Sequence, residues 1–124
     1  MPGPGSRRPR AVYGQGQEPD ARFSLANERT ALAWVRTALA CVAGGIGLTS
    51  VARVADLPRL VDALAVVLCL LGGVLAVSAV AGWRRREIAL RTGRPMSAPV
   101  ALPWLAGVVA VAALVLALVA SLQR

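Results

Sequence analysis

The stretch LVDALAVVLCLLGGVLAVSAVAGW, residues 60–83, contains one charged side chain, Asp62, and is followed directly by three arginines. At about 1.5 Å of rise per residue its length makes roughly 36 Å of α-helix, which is enough to cross the ~30 Å hydrocarbon core of a bilayer. A segment inside lipid must satisfy its backbone hydrogen bonds internally. The stretch therefore predicts a transmembrane helix.

Two other stretches have the same character. Residues 31–52 are apolar apart from Arg36 and a few small polar side chains, and residues 103–122 carry no charge. Over 124 residues, 56% are hydrophobic and 16% are charged, and the mean hydropathy is +0.62, which is typical of an integral membrane protein. We predict an all-α membrane protein without β structure, with three transmembrane helices at about 31–52, 60–83 and 103–122 within a domain of residues 21–124.

The arginines flank these spans unevenly. Residues 1–20 are rich in Pro, Gly and Arg and predict a disordered basic tail. Five arginines precede the first span and five follow the second within residues 84–94, whereas the connection after the first span has two arginines and two aspartates. By the positive-inside rule we expect a cytoplasmic amino terminus and an outside carboxyl terminus. Three spans would also put Trp34, Trp83 and Trp104 at one interface.

The composition excludes several chemistries. The chain has no histidine and all fourteen of its basic residues are arginine, so histidine-based metal sites, histidine-based triads and the lysine of a phosphate-binding loop are ruled out. Paired carboxylates cannot be assembled either. We expect no enzymatic activity, no cofactor and no metal. The positive charge lies beside apolar spans, so we expect a lipid bilayer rather than nucleic acid as the partner.

Three arginines recur every seven residues at the start of the first span. If residues 22–36 form one helix, Arg22, Arg29 and Arg36 share a face, because the drift is only about 20° per heptad. One interpretation is that Arg36 extends to the headgroups while Arg29 lies at the interface. The other is that the arginines face a water-filled mouth shared by several subunits, where they form rings that attract an anion. Small residues continue this face: Ala33, Ala40, Gly44 and Gly47.

The neighbouring polar residues also have two interpretations. Glu28 suits the first turn of a helix capped by Ser24 or Asn27. Alternatively, Glu28 pairs with an arginine of a neighbouring helix and orients it. Four-residue spacings of small residues, such as 40–44, 43–47, 72–76 and 106–110, predict close helix packing. Glu87 and Arg91 predict that the second helix continues about two turns into water.

The motif ANERTALAWVRT, residues 26–37, and the segment GWRRREIALRTGRP, residues 82–95, resemble the YidH-like family of small three-span membrane proteins, catalogued as domain of unknown function 202. The resemblance covers roughly residues 22–122 and implies a bacterial inner-membrane location. It also implies a relation to the membrane domain of the vacuolar transporter chaperone complex. In that complex, five three-span units surround a polyphosphate channel lined by basic residues.

By motif position, the resemblance places Glu28 and Arg29 on that complex's own motif, Arg22 on a basic position and Arg84 on the arginine after its tryptophan. Arg36 departs from the complex but fits the bacterial members. The chain has no room for a polymerase domain. Our first hypothesis is therefore a homo-oligomer, a pentamer by resemblance, whose cytoplasmic mouth binds phosphate-like polyanions. The second is a non-conducting accessory or scaffold subunit that docks on a larger membrane partner, with its arginines serving topology and anionic headgroups.

Overall fold

The computed structural model describes residues 6–96 and 101–122, the latter without the side chain of Ala101. Its four helices are α1, Arg10–Tyr13; α2, Ala21–Val54; α3, Arg59–Thr92; and α4, Ala101–Leu122. Helices α2, α3 and α4 are each long and apolar enough to cross a membrane. Each contains one of the spans expected from the sequence, and the described residues contain no strand. The prediction of an all-α, three-span fold is confirmed.

Helix α2 is one continuous helix of 34 residues, about 50 Å long, so it extends well beyond the apolar run. It begins after Asp20, whose carboxylate accepts a hydrogen bond from the backbone N–H of Arg22 at 3.0 Å. The expectation that Ser24 or Asn27 caps this helix is wrong, because both lie inside it. Helix α2 begins ten residues before the apolar run, so the apolar pattern alone does not locate its cap.

Inside the apolar part of α2, hydroxyl side chains are satisfied within the helix. Thr37, Thr49 and Ser50 each donate to the backbone carbonyl oxygen four residues earlier, at 2.9 to 3.1 Å. In lipid such a bond removes the cost of an unpaired hydroxyl. These residues therefore need no partner outside α2.

Helices α2 and α3 form a close antiparallel pair, joined by a four-residue connection in which Asp56 has a φ of 50°. Glycines bring their backbones together. A Cβ atom added to Gly72 would lie 2.7 Å from the carbonyl oxygen of Ala38, and one added to Gly45 would lie 2.8 Å from that of Ala65. Dispersion contacts, which replace the hydrophobic effect between helices in lipid, are greatest at such close approach.

Close helix packing through small residues is confirmed, but the spacings identify only one of the two glycines at the contact. Gly72 lies at the contact, whereas Gly44 and Gly47 have no atom within 4 Å of an added Cβ. Gly45, which belongs to none of the predicted spacings, makes the second contact. Composition alone cannot choose between adjacent glycines.

Helix α4 packs more loosely. Its Leu105 contacts a small apolar cluster formed by Ala38, Cys41 and Leu75, and its Ala112 is buried. Most of the other large side chains of α4 are exposed, including Trp104 at 74% and Leu114 at 71%. In a membrane this apolar surface is available to lipid or to another protein chain.

The segment before α2 is less open than the sequence suggests. Residues 6–20, which we expected to be disordered, lie against α3 in the structure: Val12 of α1 is fully buried, and the backbone N–H of Gln17 donates to the carbonyl oxygen of Arg91 at 3.0 Å. Gly16, with a φ of 59°, permits this approach, because an added Cβ would overlap the Arg91 carbonyl. The expected disorder of residues 1–5 lies outside the described residues.

Candidate arginine face and polar helix end

Three arginines lie on one side of α2, as the heptad spacing predicted. Asn27 and Gly45 mark the side of α2 that contacts α3. At about 100° per residue, Arg29 lies roughly 160° around the helix from Asn27, and Arg36 roughly 180° from Gly45. Arg22, Arg29 and Arg36 are all exposed. We call these three residues the arginine face.

The guanidinium groups of the arginine face have no ion-pair partner among the described residues. Arg36 lies about 10 Å further along α2 than Arg29, within the apolar run. Beyond it the same side of α2 presents Ala40, Gly44 and Gly47, all exposed. This side of α2 therefore combines positive charge that has no ion pair with a surface of small residues, and it lies opposite the side that contacts α3.

Arg84 lies on α3 near the height of Arg29. The side-chain amide of Asn27 donates to the carbonyl oxygen of Trp83 at 3.1 Å, which aligns this part of α2 with residues 83–87 of α3. Arg84 is exposed and has no ion pair in the described ranges. No hydrogen bond or ion pair joins it to the arginine face among the described residues.

A buried polar cluster joins the same ends of α2 and α3. Glu87 is only 2% exposed, and its carboxylate accepts from the Ser24 hydroxyl at 2.9 Å and from the Asn27 amide at 3.3 Å. Arg91, 7% exposed, lies 3.5 Å from the Glu87 carboxylate through its Nε. Arg86 Nε donates to the amide oxygen of Asn27 at 2.7 Å. We call these five residues the Glu87 cluster.

The amino-terminal segment covers this cluster. The guanidinium of Arg91 lies 4.8 Å from the centre of the Tyr13 ring, a cation–π distance, and donates to the Tyr13 carbonyl oxygen at 3.4 Å. The Tyr13 and Trp83 rings are 6.4 Å apart. Further out, Arg7 and Glu18 form an ion pair at 2.7 Å whose side chains are about half exposed, so it adds little stability.

The two polar residues singled out from the sequence behave differently. Asn27 is buried and hydrogen-bonded to α3. Glu28 is exposed and has no ion pair among the described residues; it lines a cavity of about 320 Å³ next to Tyr13 and Glu87. The carboxylate that joins two helices is Glu87.

Sequence reasoning missed Glu87 because it assigned Glu87 and Arg91 to a helix surrounded by water. The helix does continue to Thr92 and is capped by Gly93, but this pair is buried. A signal was available. Asn27 lies on the same side of α2 as Ala38, Cys41 and Gly45, and a polar residue in line with a contact stripe needs a partner on the facing helix.

The three tryptophans do not share one level. Trp83 is aligned with Asn27, whereas Trp34 lies seven residues, about 10 Å, further along α2 and packs against the apolar cluster. Trp104 is largely exposed. The tryptophans therefore give no independent support for the orientation.

Comparison with known proteins finds similarity over the part of the chain that forms the α2–α3 pair. A sequence profile described as a domain of unknown function, DUF202, matches residues 22–89, which include nearly all of α2 and of α3. Inner membrane protein YidH of Escherichia coli (strain K12) is 50% identical over 76 residues, which are 61% of this chain and 66% of that protein. Uncharacterized protein Rv2272 of Mycobacterium tuberculosis is 38% identical over 79 residues, 64% of this chain and 65% of that protein.

The matched region spans just under two thirds of the length of these relatives. No solved structure matches the chain significantly. Three apolar helices of membrane-crossing length, together with an inner-membrane relative at 50% identity, make this a multi-pass protein of the bacterial inner membrane. Since the profile matches more than half of the chain, the protein belongs to the DUF202 family.

Proposed function

We propose that this protein forms a homo-oligomer in which the arginine faces of several copies surround a polar path and bind phosphate-like polyanions. The observation that supports this most strongly is the position of the arginine face. Arg22, Arg29 and Arg36 are exposed on the side of α2 opposite α3, without an ion-pair partner in the described parts of the chain. Charge placed there acts on something outside the protomer.

The depth of Arg36 favours a shared path over a lipid-facing surface. An arginine at mid-bilayer costs roughly 2.5 to 3.5 kcal/mol on insertion scales, and less near the surface, where its side chain extends to the headgroups. An extended side chain accounts for Arg36 taken alone. Its position in line with Arg22 and Arg29 outside the apolar run, and with exposed Ala40, Gly44 and Gly47 inside it, supports a lumen that water and anions enter.

In this oligomer Arg84 adds to the mouth of the path. It lies on α3 near the height of Arg29, so neighbouring copies supply it at the same level. Rings of guanidinium groups repel one another unless an anion lies between them, and guanidinium binds phosphate oxygens in bidentate geometry. The end of the helix pair at which α2 begins and α3 ends carries ten of the fourteen arginines, five within residues 7–29 and five within residues 84–94, and we propose that it faces the cytoplasm.

An accessory subunit is the second candidate. The loose packing of α4 within the protomer supports it, because a helix that makes few contacts with its own chain, with Trp104 and Leu114 exposed, leaves a surface on which a larger membrane partner can pack. In that case the arginine face contacts anionic headgroups and conducts nothing. The two candidates differ in oligomeric state and in anion flux.

The test is flux of tripolyphosphate into liposomes that contain the purified protein. We expect flux with the wild-type protein and a loss of about tenfold or more in Arg29→Ala and Arg36→Ala. Arg59→Ala is the matched control, since Arg59 is exposed at the opposite end of the helix pair. A monomeric mass in detergent, or equal flux in all variants, would favour the accessory subunit. A reporter fused after Arg124 that proved cytoplasmic would overturn the orientation.

A further inference from the structure

A second basic surface lies at the carboxyl-terminal end of α3. Arg85, Arg86 and Arg94 surround a pocket of about 290 Å³, whose remaining wall is apolar and includes Ile88, Ala89 and Met96. No carboxylate lines this pocket among the described residues. It is separate from the arginine face and uses none of the arginines assigned to the proposed path.

The end of α3 builds this pocket. Gly93 follows the helix in the left-handed conformation, with a φ of 65°, which glycine adopts without strain. The backbone N–H of Arg94 then donates to the carbonyl oxygen of Ala89 at 3.0 Å, the closing bond of a Schellman motif. This turn carries Arg94 and Met96 back beside α3. Two arginines nine residues apart in sequence thereby line one pocket.

The charges of the pocket are not neutralised within the described chain. Arg85 and Arg94 are exposed and have no ion pair. Arg86 bonds to the neutral amide of Asn27, and its Nη2 is buried without a hydrogen-bond partner. The carboxylate of Glu87 is occupied by Ser24, Asn27 and Arg91 on the side facing α2.

The helix dipole does not reverse this charge. The carboxyl-terminal end of a helix carries about half a negative charge, which disfavours an anion. Arg85 and Arg94 bring two exposed guanidinium groups without an ion pair, so the pocket remains positive. Arginine beside an apolar wall also fits a phosphate ester, whose oxygens meet the guanidinium groups while its carbon part meets Ile88 and Met96.

We propose that this pocket binds a phosphate group, carried either by an anionic phospholipid or by a free phosphate. Its position suits the lipid source, since Arg85 comes two residues after Trp83, where the apolar run of α3 ends and headgroups begin. Arg84 points about 100° away from Arg85 around the helix. The pocket is therefore independent of the path proposed above.

The experiment is native mass spectrometry of delipidated protein in a neutral maltoside detergent. The probe is phosphatidylglycerol, and dioleoylglycerol, which lacks phosphate, serves as the control lipid. We expect phosphatidylglycerol to bind to the wild type. The double variant Arg85→Ala/Arg94→Ala should lose affinity for it by about tenfold or more. The matched control is Arg53→Ala/Arg59→Ala, which removes two exposed arginines from the other end of the helix pair and should bind within about twofold of wild type.

The source of the phosphate is decided by competition. If inorganic phosphate at millimolar concentration displaces phosphatidylglycerol from the wild type, the pocket accepts free phosphate; if it does not, the lipid is the ligand. Equal binding by the Arg85/Arg94 variant and wild type, or an equal loss in the control variant, overturns the proposal. Arg85→Gln/Arg94→Gln keeps a polar side chain with the same three-carbon stem but no charge, and it decides the matter if the alanine variant does not fold. Tripolyphosphate flux reports on the arginine face and phosphatidylglycerol binding by the Arg85/Arg94 variant reports on the pocket, so failure of one proposal is distinguishable from failure of the other.

Discussion

In the middle of the α2–α3 pair, Gly45 and Gly72 let the two backbones approach, whereas at the end of the same pair the helices are joined by side chains around Glu87. At these two glycines there is no room for an added carbon atom. At the end, the buried carboxylate of Glu87 is stabilised by hydrogen bonds from α2 and by its ion pair with Arg91. Helix packing in lipid depends on close contact, while the end, beyond the apolar run, uses hydrogen bonds and charge. Substitutions that add atoms at Gly45 or Gly72 should therefore lower stability in the middle, whereas substitutions that remove polar atoms should lower it at the Glu87 end.

The largest effect is expected from Glu87→Ala. This change leaves the guanidinium of Arg91 buried without its carboxylate and removes the acceptor for Ser24 and Asn27. Removing one partner of a buried ion pair costs about 3 to 5 kcal/mol. Reversible unfolding in mixed micelles measures the loss. Glu28→Ala, at an exposed carboxylate one turn along α2 from Ser24, is the control and should change stability by less than about 0.5 kcal/mol.

A double-mutant cycle sharpens that result. If the pair acts as described, Glu87→Ala/Arg91→Ala should cost less than the sum of the single changes, because the double variant no longer buries an unpaired charge. Additive costs would contradict the coupling of these two side chains.

A smaller effect is expected in the middle of the pair. In Gly72→Ala the new Cβ would lie 2.6 Å from a methyl group of Val42 and 2.7 Å from the Ala38 carbonyl oxygen, so the helices must separate. Overpacking of this kind costs about 1 to 3 kcal/mol. Gly73→Ala is the matched control, because no atom lies within 4 Å of its added Cβ.

The two alanine variants share the gain in helix propensity, about 1 kcal/mol, so their difference in unfolding free energy isolates the packing. Equal stability of the two would show that the backbones are not in close contact at Gly72. Gly45→Ala and Gly44→Ala offer the same comparison on α2.

The two regions also differ in how far the sequence predicts them. Apolar runs of membrane-crossing length predict the three spans, because the bilayer sets their length and requires helices. The heptad spacing predicts the shared face of Arg22, Arg29 and Arg36, since helix geometry alone determines it. Both depend on local sequence and both are confirmed.

Contacts between helices were harder to predict. Glu87 and Arg91 are visible as a pair four residues apart, but nothing in that spacing tells whether α2 and the amino-terminal segment cover them. Gly45 and Gly44 are chemically the same, and only the rotation of α2 against α3 separates them. The role of the arginine face as an anion site remains a prediction.

A third, weaker effect tests how the amino-terminal segment is attached to the polar end. Tyr13→Ala removes the ring beside the Arg91 guanidinium and next to Trp83. The contact is worth about 1 kcal/mol, so we expect residues 6–20 to become more accessible while the helix pair stays intact. Limited proteolysis near Gly16 measures this accessibility. Arg10→Ala, at an exposed position of the same short helix, should not raise it.

The smallest effect is expected at Asp20, which caps α2 outside both regions. Asp20→Ala removes the acceptor for the Arg22 backbone N–H and should cost about 1 kcal/mol or less, confined to the first turn of α2. Hydrogen exchange should speed up at residues 22–24 and remain unchanged at Asn27, which the Glu87 cluster holds. Asp20→Asn keeps an oxygen at the cap and should exchange like wild type. If the exchange at Asn27 also rose in Asp20→Ala, the first turn and the Glu87 cluster would open together, and the polar end would depend on its cap as well as on its buried carboxylate.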